Sequence, residues 1–317
     1  MALHGQRVAA VVLILAIGLV FVAVLGYLGV AVFFAEVMTR SKRRRVQGTP
    51  DDLGLRFQDV QFLTSDRLTL NGWFMESPGA RATVILIHDR GGTRADAEQG
   101  LLQLQADYVR RGFNVFGFDL RGRGESSGRR DHLGATERLD VQAALAYVRR
   151  RAPQAPIVLH GFGFGAALAI EATPRASDVA GVIADSPIAS MRDLLAYEHR
   201  RVPDHLFVVA CWLARRLFGG DADALAPIDV VDQISVPVLF IHAQADDVVP
   251  ESHTLNLAAA SLNDRHVVWV HHDFRGHCAY YRRHPREYLD RCMEFIDRIV
   301  PARLLSPLPA PRTMQAG

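Results

Sequence analysis

The sequence predicts an α/β fold on one mostly parallel sheet, carried behind a single membrane-spanning helix, and three observations predict it. Short β-rich runs alternate with longer helical stretches through most of the chain. Residues 8–35 contain no charged side chain. A glycine-rich turn, Gly161-Phe162-Gly163-Phe164-Gly165, joins a short apolar run to the helix-forming Ala166-Ala167-Leu168-Ala169-Ile170.

The charge-free stretch comes first. As a helix it is about 42 Å long at about 1.5 Å per residue, which exceeds a bilayer's hydrocarbon core of about 30 Å. It is also far longer than the apolar core of a cleaved signal peptide. The chain therefore divides into a short N-terminal tail (1–7), a transmembrane anchor (8–37), a basic juxtamembrane linker (38–52), a folded domain (53–302) and a Pro-rich tail (303–317). Arg40, Lys42, Arg43, Arg44 and Arg45 follow the apolar stretch, against only Arg7, His4 and the amino terminus before it. Positive charge stays on the cytoplasmic side, so the expected location is the cell membrane, single-pass, with the soluble domain facing the cytoplasm.

Those five cations account for the formal net charge of +2 over 317 residues; without them 31 basic residues face 34 acidic ones. The balance excludes a nucleic-acid partner and makes the bilayer the expected one. The cluster is also suited to anionic headgroups, although a topology signal suffices to explain it. Cys211, Cys278 and Cys292 are odd in number and widely spaced, which fits a reducing compartment.

Within the domain, residues 57–63 and 68–74 read as an antiparallel hairpin, and 82–87, 115–118, 157–159, 179–183, 236–241 and 266–270 as six further strands. Helices are expected over 94–110 and 136–150. A helical insertion over 191–218, within a cap of about 190–226, interrupts the last third, and its segment 206–218 is apolar enough for a lid or for plain packing on the core.

The turn after residue 159 has the frame of a G-x-S-x-G nucleophile elbow in its strand-turn-helix context, with Gly163 at the serine position. The flanking glycines let helix and strand approach without colliding side chains. A glycine-rich turn before a helix also suits a phosphate, but no Lys-Ser or Lys-Thr follows it. The remaining groups arrive in the order nucleophile, acid, base. Asp246 lies on the loop after the seventh strand, with Asp247 as the alternative, and His277 on the loop after the eighth. His271 and His272 lie at a strand end instead. No His, Asp or Glu spacing suggests a metal site, and no cofactor is expected.

With these motifs stand Leu70-Asn71-Gly72-Trp73, Ile85-Leu86-Ile87-His88, Phe118-Asp119-Leu120-Arg121-Gly122-Arg123-Gly124-Glu125-Ser126, Ala184-Asp185-Ser186-Pro187 and Val238-Leu239-Phe240-Ile241-His242. On these segments the chain resembles the bacterial alpha/beta hydrolase family, in its membrane-anchored, serine-aminopeptidase-like or thioesterase-like branch. The resemblance implies an α/β-hydrolase fold: a mostly parallel eight-stranded sheet flanked by helices, with a small helical cap. It also implies an oxyanion hole from the backbone N–H groups of Phe164 and Arg90. The chain departs from the family pattern at His88-Asp89 and His242-Ala243, where the family has His-Gly, and at Gly163.

A glycine has no atom that attacks a carbonyl. Loss of a triad serine costs on the order of 10⁶ in rate, so the expectation is an inactive or very weak hydrolase relative, a binding or regulatory protein for a small acyl, ester or peptide-like ligand. The alternative is a slow hydrolase of ester, thioester or amide bonds in which His277 and Asp246 activate a water. Two other nucleophiles are weighed. Ser186 reads as structural, and Cys278 is expected to point away from its neighbour His277.

Overall fold

Eight strands form one sheet in the order β1-β2-β4-β3-β5-β6-β7-β8 in the computed structural model, which describes residues 2–300. The Pro-rich tail expected over 303–317 lies outside the described residues. β1 (Gln58–Leu63) and β2 (Thr69–Met75) make the antiparallel hairpin, and β2 continues antiparallel onto β4 (Asn114–Phe118). From there β3 (Thr83–Ile87), β5 (Ile157–Phe162), β6 (Val179–Asp185), β7 (Val238–Ala245) and β8 (Val267–Arg275) run parallel. Every residue of β3 and β5 is buried, which is why both read as unbroken apolar runs rather than alternating ones.

The helices in chain order are α1 (Ala2–Thr39), α2 (Leu101–Arg110), α3 (Arg138–Arg151), α4 (Phe164–Ala172), α5 (Met191–Glu198), α6 (Asp204–Leu213), α7 (Glu251–Ala260), the single turn α8 (Tyr280–Arg283) and α9 (Pro285–Ile299). The two faces of the sheet carry separate cores. Ile85 and Ile87 pack toward α3 and α4, and Val84 and Leu86 toward α2 and α9, which is the period of two that a strand imposes. α5, α6 and a π-helical turn, Ala214–Phe218, form the insertion between β6 and β7.

Three departures from the sequence expectation have physical causes. The helix expected over 94–110 begins only at Leu101. Arg94 is instead drawn into the interior, its N–H donating to Asp119 (2.8 Å) and its guanidinium pairing with Asp119 and Glu125, and Gly100 sits at φ +71°. The expected N-terminal tail belongs to α1, which is helical from Ala2. The stretch read as a linker is docked rather than free. Thr39 O accepts the Asp131 N–H (3.0 Å), the Ser41 hydroxyl donates to Gly122 O (2.6 Å), and Arg43 donates to Ser126 O and Gly128 O (2.8 Å each). Residues 9–39 of α1 are long and apolar enough to cross a membrane.

Candidate active site

The turn from β5 into α4 forms because three glycines permit it. A Cβ at Gly161 would lie 2.5 Å from the Ala166 backbone, and one at Gly165 would lie 2.5 Å from His88 O, so any side chain would force the helix off the strand. Gly163 between them is at φ +51°, ψ −110°, strained for any residue with a Cβ. Its N–H donates to Asp185 O (2.8 Å) and its carbonyl accepts the Ala167 N–H (3.1 Å), which seats the tip of the turn at the start of α4.

The loops after β7 and β8 bring Asp246 and His277 together. Asp246 Oδ1 accepts the N–H groups of Val248 (2.9 Å) and Val249 (3.0 Å), and its Oδ2 accepts His277 Nδ1–H at 2.7 Å. Burial opposes the Asp246 charge, but the His277 hydrogen bond and charge outweigh it and hold the carboxyl below its ordinary range. Asp247 is exposed and makes no such contact. His242 supports the loop from beneath, its ring bonded to Thr254 Oγ1 (2.7 Å) and Val249 O (3.0 Å).

The other ring nitrogen of His277 faces Asp89, which the sequence marked only as a missing glycine. Asp89 Oδ2 is 3.4 Å from His277 Nε2. Its Oδ1 accepts the Phe164 N–H at 2.8 Å, and the Arg90 N–H helps to hold the same carboxylate ionised. The Phe164 N–H, one of the two oxyanion donors that the family resemblance implies, is thus directed at a side chain of the protein itself. A Cβ at Gly163 would fall on Asp89 Oδ1, 2.7 Å from its Cγ and 2.8 Å from His277 Nε2. The carboxylate therefore fills the space that a side chain at 163 would need. Burial resists its ionisation, yet His277, Phe164 and Arg90 together pull Asp89 down to about 2. For His277, burial is likewise outweighed: with Asp246 and Asp89 against its two ring nitrogens, the imidazole is held well above its ordinary value.

The Arg90 side chain points away from this cluster. It pairs with Asp131 (2.6 Å), donates to Met38 O at the end of α1 and lies 4.0 Å from Glu198. Arg123 bonds the same Asp131 (2.7 Å) and Arg90 O, so the loop carrying Asp89 is tied to the foot of α1. A cavity of about 250 Å³ opens there, with Val37, Lys42, Asp89, Gly91 and Val248 on its wall.

Cys278 departs from the sequence expectation. It does not point away: at φ +50° it turns its Sγ to 3.4 Å from His277 Nε2. The thiol is nevertheless buried, donates toward Asp185 O (3.6 Å), and is pushed far up by burial, so it is neutral and closed to solvent. Ser186 is buried too, its hydroxyl on Asp185 Oδ1 (3.2 Å) and its N–H on Ile241 O (2.8 Å). His271 is buried among Trp269 and Tyr280, and His272 is exposed beside Gln244, both away from the elbow.

A signal for Asp89 exists in the sequence. One position at the elbow has lost its side chain, and one position beside the implied donors has gained a carboxylate. The two departures are complementary in volume and charge.

Comparison with known proteins agrees with the fold. A family described as serine aminopeptidase, S33, matches residues 78–220, from before β3 through the cap. The uncharacterized protein YfhR of Escherichia coli (strain K12) is 27% identical over 247 residues, 75% of this chain and 80% of that one. The alpha/beta hydrolase domain-containing protein 17C of Xenopus tropicalis is 27% identical over 235 residues, 71% and 64% of the respective chains. Among solved structures, the Pyrococcus furiosus esterase Pf2001 superposes with a TM-score of 0.69 at 25% identity, over 82% of this chain and 98% of its own.

Proposed function

For a chain that belongs to the alpha/beta hydrolase family and is related to esterases and peptidases, we propose the role of a membrane-anchored, cytoplasm-facing binding or regulatory protein that forms no acyl-enzyme. The observation that carries this reading is the Asp89 carboxylate, seated on the Phe164 N–H in the space a side chain at 163 would need. An acyl-transfer site needs a nucleophile, a neutral base beside it and empty donors for the oxyanion. Here the turn carries no nucleophile. The imidazole is held well above its ordinary value between two carboxylates, and the Phe164 donor is satisfied by a charge of the same sign as the oxyanion it would otherwise stabilise.

The same features oppose the water-activating alternative. A general base must offer Nε2 as a free lone pair, and here a carboxylate 3.4 Å from Nε2 favours the protonated ring. A small acyl, ester or peptide-like ligand has the cavity beside Asp89 as its remaining space. The apolar α1 followed by basic residues supports the anchor and its orientation.

The test is full-length protein in detergent, assayed with short-chain p-nitrophenyl esters and a fluorophosphonate probe. The expected result is neither turnover nor labelling. Labelling that maps to any serine, or turnover abolished by His277→Ala, would refute the reading.

A further inference from the structure

α1 changes its surroundings at Tyr27. From residue 9 to residue 26 none of the other described residues covers it. That stretch is about 27 Å long at about 1.5 Å per residue, close to the hydrocarbon thickness of about 30 Å. Beyond it the cap stands against the helix. The Tyr27 ring stacks on His205 (5.8 Å, 13°), its hydroxyl donates to His205 O (3.1 Å), and Ala31 and Ala35 are buried on Leu206, Leu213 and Ala214. The bare length thus ends at the start of α6, at an aromatic residue of the type enriched at membrane–water interfaces.

We infer that the start of α6 and the turn before it, residues 199–205, face the headgroup layer of the membrane, with His205 at the level of Tyr27 and His199 against Phe34 on the aqueous side, and contact anionic phospholipid through the long side chains of Arg200 and Arg201. The inference rests on the membrane-anchored reading above. Arg201 is exposed and, among the described residues, pairs with no carboxylate. Arg200 is exposed as well, packed over the Tyr197 ring (4.9 Å) with its guanidinium on Tyr197 O (3.1 Å). Asp204 is the one carboxylate on the turn, so two fixed cations face one anion at the level where phosphate groups lie.

A consequence follows for the cavity. Val37 on its wall is about 15 Å further along α1 than Tyr27, counted at about 1.5 Å per residue. The headgroup layer is only about 5 to 8 Å thick on each side. The cavity mouth accordingly lies in water, and its ligand arrives from solution rather than by lateral passage out of the bilayer.

The test uses the full chain in nanodiscs of phosphatidylcholine, with and without phosphatidylglycerol. Spin labels go on single introduced cysteines, Ile17→Cys, Asp204→Cys and Val248→Cys; the three native cysteines are buried, and unmodified protein controls for them. Collision with oxygen and with a water-soluble nickel chelate reports depth. Expected is an oxygen-dominated signal at 17, full nickel access at 248, and several-fold lower nickel access at 204. Phosphatidylglycerol should slow the label at 204, and adding Arg201→Glu should abolish that slowing. With 17 deep, nickel access at 204 equal to that at 248 and no response to lipid charge would overturn the inference alone. Nickel access at 17 would instead overturn the anchored reading and the inference with it.

Discussion

Gly163→Ser is the most informative substitution, because restoring the hydroxyl does not restore the site. The new Cβ falls on Asp89 Oδ1, and the backbone there is at φ +51°. The positive φ costs about 1 to 2 kcal/mol for a residue with a Cβ. Asp89 must also leave the Phe164 N–H and His277, and a hydrogen bond to a charged group is worth about 1.5 to 3 kcal/mol. The Asp89 side chain is 21% exposed, so solvent screening puts that loss at the low end. The total destabilisation is about 3 kcal/mol, or a fall in melting temperature of about 10 °C for a domain of this size.

Asp89→Gly alone loses the same contacts, at a cost of about 2 kcal/mol. In the double variant those contacts are lost only once, so the two costs are sub-additive by about 2 kcal/mol in a double-mutant cycle. The chemical readout runs in parallel. In the single serine variant the displaced carboxylate stays beside the Phe164 N–H and the imidazole and should slow labelling by a fluorophosphonate probe, whereas Asp89→Gly/Gly163→Ser removes it altogether and should be labelled readily at 163. Thermal unfolding and probe labelling on detergent-solubilised full chain check both. Additive destabilisation, with equal labelling of the single and double variants, would show that Asp89 does not hold this space.

Four further outcomes are expected. In Asp89→Asn the His277 imidazole should titrate closer to its ordinary value, as followed by NMR of the ring protons; an unchanged titration would remove Asp89 as a source of the shift. The stability difference between wild type and Asp89→Asn, measured by unfolding across pH, should be greatest between about pH 4 and 6.5. The depressed Asp89, at about 2, loses its contribution as pH falls below the ordinary carboxylate value, and the raised His277 loses its share as pH climbs through its folded value. Iodoacetamide should leave Cys278 unmodified in the folded protein, since the thiol is buried and held neutral, and rapid alkylation traced by peptide mapping would revive it as a nucleophile. A fragment starting at residue 50 should be less stable than one starting at residue 36 by about 3 kcal/mol in denaturant titration, because it lacks the Thr39, Ser41 and Arg43 hydrogen bonds that hold the loops after β3 and β4.

Periodicity and turn chemistry made most of the architecture legible. The hairpin β1–β2, the parallel strands and the insertion all left patterns of apolar residues and glycines that local physics dictates. The start of α2 was not legible, since a buried ion pair between Arg94 and Asp119 is a contact across 25 residues that overrides helix periodicity. The docking of residues 38–43 was hidden for a related reason. A basic run reads as solvated, and only the fold shows carbonyls of the loop after β4 aimed at Arg43. Asp246 and His277 were placed together by chain order alone. The turn of Cys278 toward the imidazole depends on one positive φ, which no side-chain pattern announces.

Asp89 and Gly163 bear on each other in a way that decides what the site is. Glycine at 163 with glycine at 89 would leave a void beside a buried His277–Asp246 pair, large enough for a water and furnished with two free N–H donors, which is the geometry of a slow general-base hydrolase. The carboxylate opposes that geometry three times over: it fills the volume, takes the Phe164 N–H, and shifts the imidazole toward its protonated form. Serine at 163 with aspartate at 89 requires the carboxylate to leave the Phe164 N–H and His277. Aspartate at 89 therefore sits where it does only with glycine at 163, beside His277 and Asp246. Asp89→Gly in the glycine background distinguishes closure from mere loss of a nucleophile. If closure is the operative feature, this single change should produce weak ester turnover that disappears with His277→Ala, and a variant with no turnover would mean that the missing hydroxyl alone is enough for the proposed lack of activity.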